Sequence, residues 1–367
     1  MFSDPQLRAG QEFPPLPHDN PEWQKFTGGL NIQIDPTSPD DILTQYTRYG
    51  VGWVERLPDY HDAFHDELVS NSQFATLLAK AGLVNAIKPK SPEYDYALVD
   101  GGNSNRYDIR LANAEKLRAI GELAVPHLVV FGGQCPRTDT VDSLDVLLRR
   151  VQTLNGNIDD WGKKWIKDEL STLGPRNNKW LRPFATEREL ALLSLFKLHG
   201  ARLKHLKVTP RPDAANVRIH PGIPLASIAA DVFTLDHQTV TVLNAPARWR
   251  EHAGRKLPVE EARPNGRSCF KEWLMLHRPP RGSRVILLTH QPNIYRSWLD
   301  IIIKAKEEGR TDLRVTAAGA SLERDATVGD VLEGLGNLII NHYNMHKEGG
   351  VDIPPTTPFV MRPRTRD

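Results

Sequence analysis

Cysteine is scarce in this chain: Cys135 and Cys269 are the only two in 367 residues. No CxxC pair and no Cys/His cluster accompanies them, which excludes the usual zinc sites and makes reduced thiols the expectation. Long apolar runs are also missing, and none approaches the roughly 18 residues of a membrane span. Residues 1–20 lack a basic start followed by an apolar core, so no secretory leader is expected. These absences predict a cytoplasmic chain with no membrane partner. Charge of one sign is absent too: 47 basic residues face 45 acidic ones, for a net charge of +2. That balance removes the electrostatic case for a nucleic-acid partner. Neither GxGxxG, a Walker A sequence, a GxSxG elbow nor HExxH occurs. The commonest dehydrogenase, P-loop, α/β-hydrolase and zinc-protease readings fall with them.

What is present is an ordinary globular composition, 40% hydrophobic and 25% charged. Residues 1–92 open with a polar, proline-rich stretch and continue with helical spacing, as in HDAFHDELVSNSQFATLLAKAGLV, giving a mostly helical extension. At residue 93 the pattern changes. YDYALVDGG (94–102) is a short β-rich run ending in two glycines, and RYDIRLANAEKLRAIGEL follows with a helical period. HLVVFGGQ (127–134) is a second apolar strand with the same ending. Strand, helix, strand at this spacing predicts a βαβ unit with parallel strands.

Two helices, TVDSLDVLLRRVQTL and DDWGKKWIKDELSTL, form a predicted insertion over 139–185. ATERELALLSLFKLHGA (185–201) reads as an amphipathic helix capped by Thr186. QTVTVLNAPA, SRVILLTH and DLRVTAAG are further strands, with SCFKEWLMLHR and YRSWLDIIIKAKEEG as helices between them. Residues 321–367 supply a last helix and a proline-rich tail. The expected fold is α/β: a Rossmann-like doubly wound parallel sheet over 93–320.

In such sheets ligands sit beyond the carboxyl ends of the strands, and three strand ends carry unusual chemistry. The first reads Asp100-Gly101-Gly102-Asn103-Ser104-Asn105-Arg106, the second Phe131-Gly132-Gly133-Gln134-Cys135-Pro136-Arg137. Paired glycines allow close backbone approach, and a helix start offers free amides to an anion. Tight turns without a ligand explain the same glycines. The third end, Thr289-His290-Gln291-Pro292-Asn293-Ile294-Tyr295-Arg296, offers an imidazole for acid–base work and a guanidinium for a phosphate or carboxylate. A helix-capping histidine is the alternative there. Glu187 is either a site carboxylate or a first-turn acid favoured by the helix dipole. Arg263, Asn265 and Arg267 are either ligand contacts or a solvated loop.

The order of these motifs resembles the YdcF/SanA/ElyC-like family over about residues 94–300. The matching features are two strands ending in GG, an arginine-bearing helix, a Glu-led helix before HGA, an Arg/Asn segment opening a helix, and a strand ending THQ before an arginine. The resemblance implies a Rossmann-like domain with polar positions at Gly101, Gly102, Arg110, Gly132, Gly133, Glu187, Asn265, Arg267, His290 and Arg296. It also implies a small-molecule ligand, with S-adenosylmethionine as a possible cofactor. The family's Asn-Thr-x-Glu-Asn-type segment is matched only loosely by Arg267-Ser268-Cys269-Phe270-Lys271-Glu272. The insertion and both termini have no counterpart.

The sequence therefore leads to an enzyme on an anionic nucleotide- or S-adenosylmethionine-like ligand, a transferase or hydrolase, with His290 and Glu187 as catalytic candidates. A non-catalytic binding protein and an interaction protein with a vestigial cleft stand beside it. No metal-ligating set is expected.

Overall fold

The computed structural model describes residues 83–134, 142–154, 157–170, 173, 185–211, 227–246, 264–324, 326 and 331, with the backbone of 251–252 and 255–256. The predicted helices before residue 83 and after 326 lie outside these residues, as do Cys135, Arg137 and Arg263. The chain divides into two compact units: Pro89–Leu288, and a second of which 83–88, 289–324, 326 and 331 are described.

Apolar runs without alternation become central strands, because helices cover both faces of a parallel sheet. β1 (Tyr96–Val99) is buried along its whole length, and β2 (His127–Val130) along all but its first residue. α1 (Ser104–Ala119) joins them and buries Tyr107, Arg110, Leu111, Ala114 and Leu117 at helical spacing. β1 and β2 pair in parallel, Tyr96 opposite His127 and Val99 opposite Val130. The predicted insertion contains α2 (Leu144–Thr153) and α3 (Asp160–Asp168). α4 (Glu187–His199) follows, then β3 (Leu203–Pro210), β4 (Ile228–Leu235) and β5 (Gln238–Leu243). A separate two-residue ladder pairs β6 (Glu251–His252) with β7 (Arg255–Lys256). α5 (Gly266–His277) leads into β8 (Arg284–His290), α6 (Ile294–Glu307) and β9 (Arg314–Ala320).

The strand order is β3-β4-β5-β2-β1-β8-β9. β1 pairs in parallel with both β2 and β8, and β2 with β5. The α/β, Rossmann-like reading holds, but the sheet is mixed: β4 runs antiparallel to both of its neighbours, β3 and β5. Neither β3 nor β4 is legible as a strand. β3 is an edge with Leu206 and Val208 exposed, so it carries no in/out alternation. β4 has the buried carboxylate of Asp231 in the middle of its apolar run.

α4 also departs from expectation. It is buried on nearly every side, from Glu187 through Phe196, rather than amphipathic. Its start is fixed by a capping box, in which the Thr186 amide donates to Glu189 Oε2 at 2.6 Å. Among the described residues no helix is long and apolar enough to cross a membrane.

In the second unit, Ile87 pairs antiparallel with Gly319 of β9 through hydrogen bonds of 3.0 and 2.9 Å. α6 buries Ile294, Trp298, Ile301, Ile302 and Ala305, and the Trp298 indole N–H donates to Val315 O at 3.1 Å.

Candidate functional site at the carboxyl end of β1

Connections leave β1 in two directions. β2 and β5 follow on one side of it and β8 lies on the other, so the strand order reverses at β1. A reversal of this kind opens a crevice beyond the strand's carboxyl end. The residues there are Asp100, Gly101 and Gly102, followed by the N-terminus of α1.

Asn103 caps that helix, its side-chain oxygen accepting from the Arg106 amide at 3.0 Å. Asp100 folds back to accept from the Gly101 amide at 3.0 Å. Arg110, one of the largest fully buried side chains, reaches up from the second turn, donates to Gly101 O and lies 3.6 Å from Asp100 Oδ2. Its guanidinium thus holds the turn in shape. Arg106 is different. It is partly exposed, its stem lies against Gly102, and its guanidinium makes no hydrogen bond or ion pair among the described residues.

The second glycine pair lies beside the first. A methyl group on Gly101 would stand 3.3 Å from Phe131 O, 3.4 Å from Tyr107 Oη and 3.5 Å from Glu187 Oε2. The Tyr107 hydroxyl donates to Phe131 O at 2.6 Å, tying α1 to the end of β2. Burial, and after it the Glu187 carboxylate, push that hydroxyl well above the ordinary phenol range. Glu187 itself is 7% exposed, so its carboxylate is held behind the turn rather than out in solvent.

At the end of β2 the close approaches are to protein. A methyl on Gly132 would meet Leu243 O at 2.6 Å and the Arg188 Cα at 3.1 Å. One on Gly133 would meet Pro264 Cγ at 2.7 Å and Ala245 O at 3.2 Å. The Gln134 amide donates to Ala245 O at 2.9 Å, prolonging the β2–β5 ladder, and the Gln134 side chain is buried. The Cys269 thiol, buried in α5, donates to Gly132 O at 3.5 Å.

Two buried ion pairs brace these ends, and sequence reading missed both. Arg188 donates to both oxygens of Asp231, at 2.7 and 3.0 Å, and to Glu169 Oε2 at 2.7 Å. Burial opposes its charge, but the Asp231 and then the Glu169 carboxylate hold its pKa above the ordinary arginine value. Its amide donates to Gly133 O at 3.2 Å. Arg211 donates to Glu272 Oε1 at 2.9 Å and to Asn244 O. The three partners of the first pair come from α4, β4 and the end of α3, and no local pattern connects them.

Asn265 caps α5, accepting from the Ser268 amide at 3.0 Å, and a methyl on neighbouring Gly266 would stand 3.6 Å from Asp100 Oδ1. Gly101, Gly102, Asn103, Arg106, Arg110, Gly132, Gly133, Gln134, Glu187, Asn265 and Arg267 thus all belong to the Pro89–Leu288 unit. Thr289, His290 and Arg296 belong to the second. There Thr289 is fully buried, His290 Nε2 lies 3.4 Å from Glu323 Oε1, and Arg296 Nε lies 3.9 Å from Asp300 Oδ2. Glu323, the partner of His290, was invisible in the sequence because it lies 33 residues away beyond β9.

Among the described residues no group of three or more His, Cys, Asp or Glu side chains is arranged to hold a metal ion. No protein-family model, curated protein or solved structure matches the chain.

Proposed function

We propose that this chain is a small-molecule enzyme whose ligand, a nucleotide- or nucleoside-type molecule with an acid group, binds beyond the carboxyl end of β1. One observation carries this reading. At the point where the strand order reverses, Arg110 is committed to Asp100 and Gly101, whereas Arg106 in the same helix keeps its guanidinium for another partner. A guanidinium beside a helix N-terminus favours a carboxylate or phosphate. Glu187, behind Gly101, is the acid–base group of this reading, and His290 with Glu323 is a second candidate pair in the other unit.

A thermal-shift screen with nucleotides, S-adenosylmethionine and sugar phosphates tests it. A ligand at 100 times its dissociation constant adds about 2.7 kcal/mol of stability, which such a screen detects readily. The expected result is a rise in melting temperature that Arg106→Ala removes. A screen with no hit, or a hit indifferent to Arg106→Ala, contradicts the proposal. A binding protein without turnover uses the same crevice, and the burial of Glu187 favours it. Glu187→Gln separates the two: an enzyme loses turnover and keeps its ligand, whereas a binder has no turnover to lose.

A further inference from the structure

The first turn of α1 is the part of the β1 site where an anion is most favoured, because helix amides there have no intrahelical acceptor. Two of these amides already have partners. The Arg106 amide donates to Asn103, and the Ser104 amide donates to Asp142 Oδ1 at 3.1 Å, a carboxylate from 38 residues further along the chain. Asp142 is 3% exposed. The Ser104 hydroxyl is a second sign of a polar occupant. Ser104 is 1% exposed, and this hydroxyl has no hydrogen-bond partner among the described residues. Leaving a buried hydroxyl unpaired is costly, so the turn has a desolvated polar group that a ligand atom can satisfy.

Asp142 is not there by chance of a loose loop. The helix that follows it, α2, is pinned to α1. The Arg150 guanidinium donates to both oxygens of Asp108, at 3.2 and 3.0 Å, and to Asn105 Oδ1 at 3.4 Å. Leu147 of α2 is buried.

Resting on the β1 site proposed above, we infer that Asp142 is a specificity-determining residue. Its carboxylate is a built-in anion at the α1 N-terminus, and a ligand brings a second full negative charge to this turn only by displacing it. Like charges at contact distance in a partly buried site repel strongly. A neutral or singly charged group can meet Arg106 while Asp142 stays in place. A phosphate dianion has to compete with it.

The test is calorimetric titration of the full chain with AMP and with adenosine, for the wild type, Asp142→Ala, Asp142→Asn and Arg106→Ala. Asp142→Ala is expected to bind AMP about tenfold tighter, since a buried like charge is removed, with adenosine unchanged. Asp142→Asn keeps an acceptor for the Ser104 amide without the charge, so it yields a smaller gain and preserves the test where the alanine variant does not fold. AMP affinity that is unchanged or lower in both Asp142 variants, while Arg106→Ala still weakens it, makes Asp142 a plain helix cap. That result overturns the inference and leaves the site standing. AMP binding that depends on Arg106 in no variant removes the site, and the inference with it.

Discussion

The two glycine pairs look alike in sequence, each following an apolar strand in neighbouring positions of the sheet. Their surroundings differ. At Gly132 and Gly133 the space a side chain would fill holds the Leu243 and Ala245 carbonyls and the Pro264 ring, which cannot withdraw without moving backbone. At Gly102 a methyl would stand 3.0 Å from the Arg106 Cδ, 3.1 Å from its Cβ and 3.4 Å from the Arg110 Nη1, side-chain contacts that a small shift relieves. Packing alone accounts for the β2 turn. The β1 turn, where side chains rather than carbonyls crowd Gly102, is where the proposed ligand would sit. Identical dipeptides thus have opposite meanings, decided by which neighbours the topology brings to them.

The largest effect should come from the brace behind the β2 turn. Asp231→Ala leaves Arg188 buried beside Glu169 alone, and breaking a buried pair from one side costs about 4 kcal/mol. Denaturant unfolding measures this, and a loss below about 1 kcal/mol would mean that the triad does not hold the turn. Next is Gly132→Ala, whose methyl would stand 2.6 Å from Leu243 O. Overpacking of this kind is expected to cost about 2–3 kcal/mol. A stable Gly132→Ala protein would erase the contrast between the two turns.

The amino ends of the same strands supply a pH test. His277 packs 5.9 Å from the Tyr96 ring and 6.5 Å from that of His127, and burial first, then His127, lowers its pKa to about 4. The folded protein therefore holds this imidazole neutral where the unfolded chain protonates it. Stability is retained above the ordinary histidine pKa and is lost as pH falls from about 6.5 towards about 4. Thermal melts across this window should show the loss, and His277→Gln should flatten it. A smaller effect belongs to the β1 turn itself: Asn103→Ala removes the cap of α1 and should cost about 1 kcal/mol by chemical denaturation.

Much of the frame could be read from residues alone. The apolar runs of β1, β2 and β8 and the Val-rich β5 stand out as strands, and Thr186 stands at a helix start as capping chemistry requires; Asn103 and Asn265, expected as ligand contacts, also cap α1 and α5. What stayed hidden depends on distant partners. Glu187, Arg188 and Glu189 resemble a solvated charge run, yet all are buried because α4 packs on every side. Asp231 looks like a break in a strand until Arg188 is placed beside it. Arg110, expected among the ligand contacts, also ties down Gly101, a role that no local pattern announced, and Asp142 carried no signal at all.

The contrast between the turns is tested most directly by the melting temperature of Gly102→Ala with and without AMP, beside the wild type. Gly102→Ala should melt within about 2 °C of the wild type when free, because no backbone atom stands among the nearest neighbours of the new methyl and Arg106 and Arg110 need shift only slightly, and it should lose the AMP-dependent rise. A free protein that melts as low as Gly132→Ala, or one that keeps the full AMP-dependent rise, would contradict the placement of the ligand at β1.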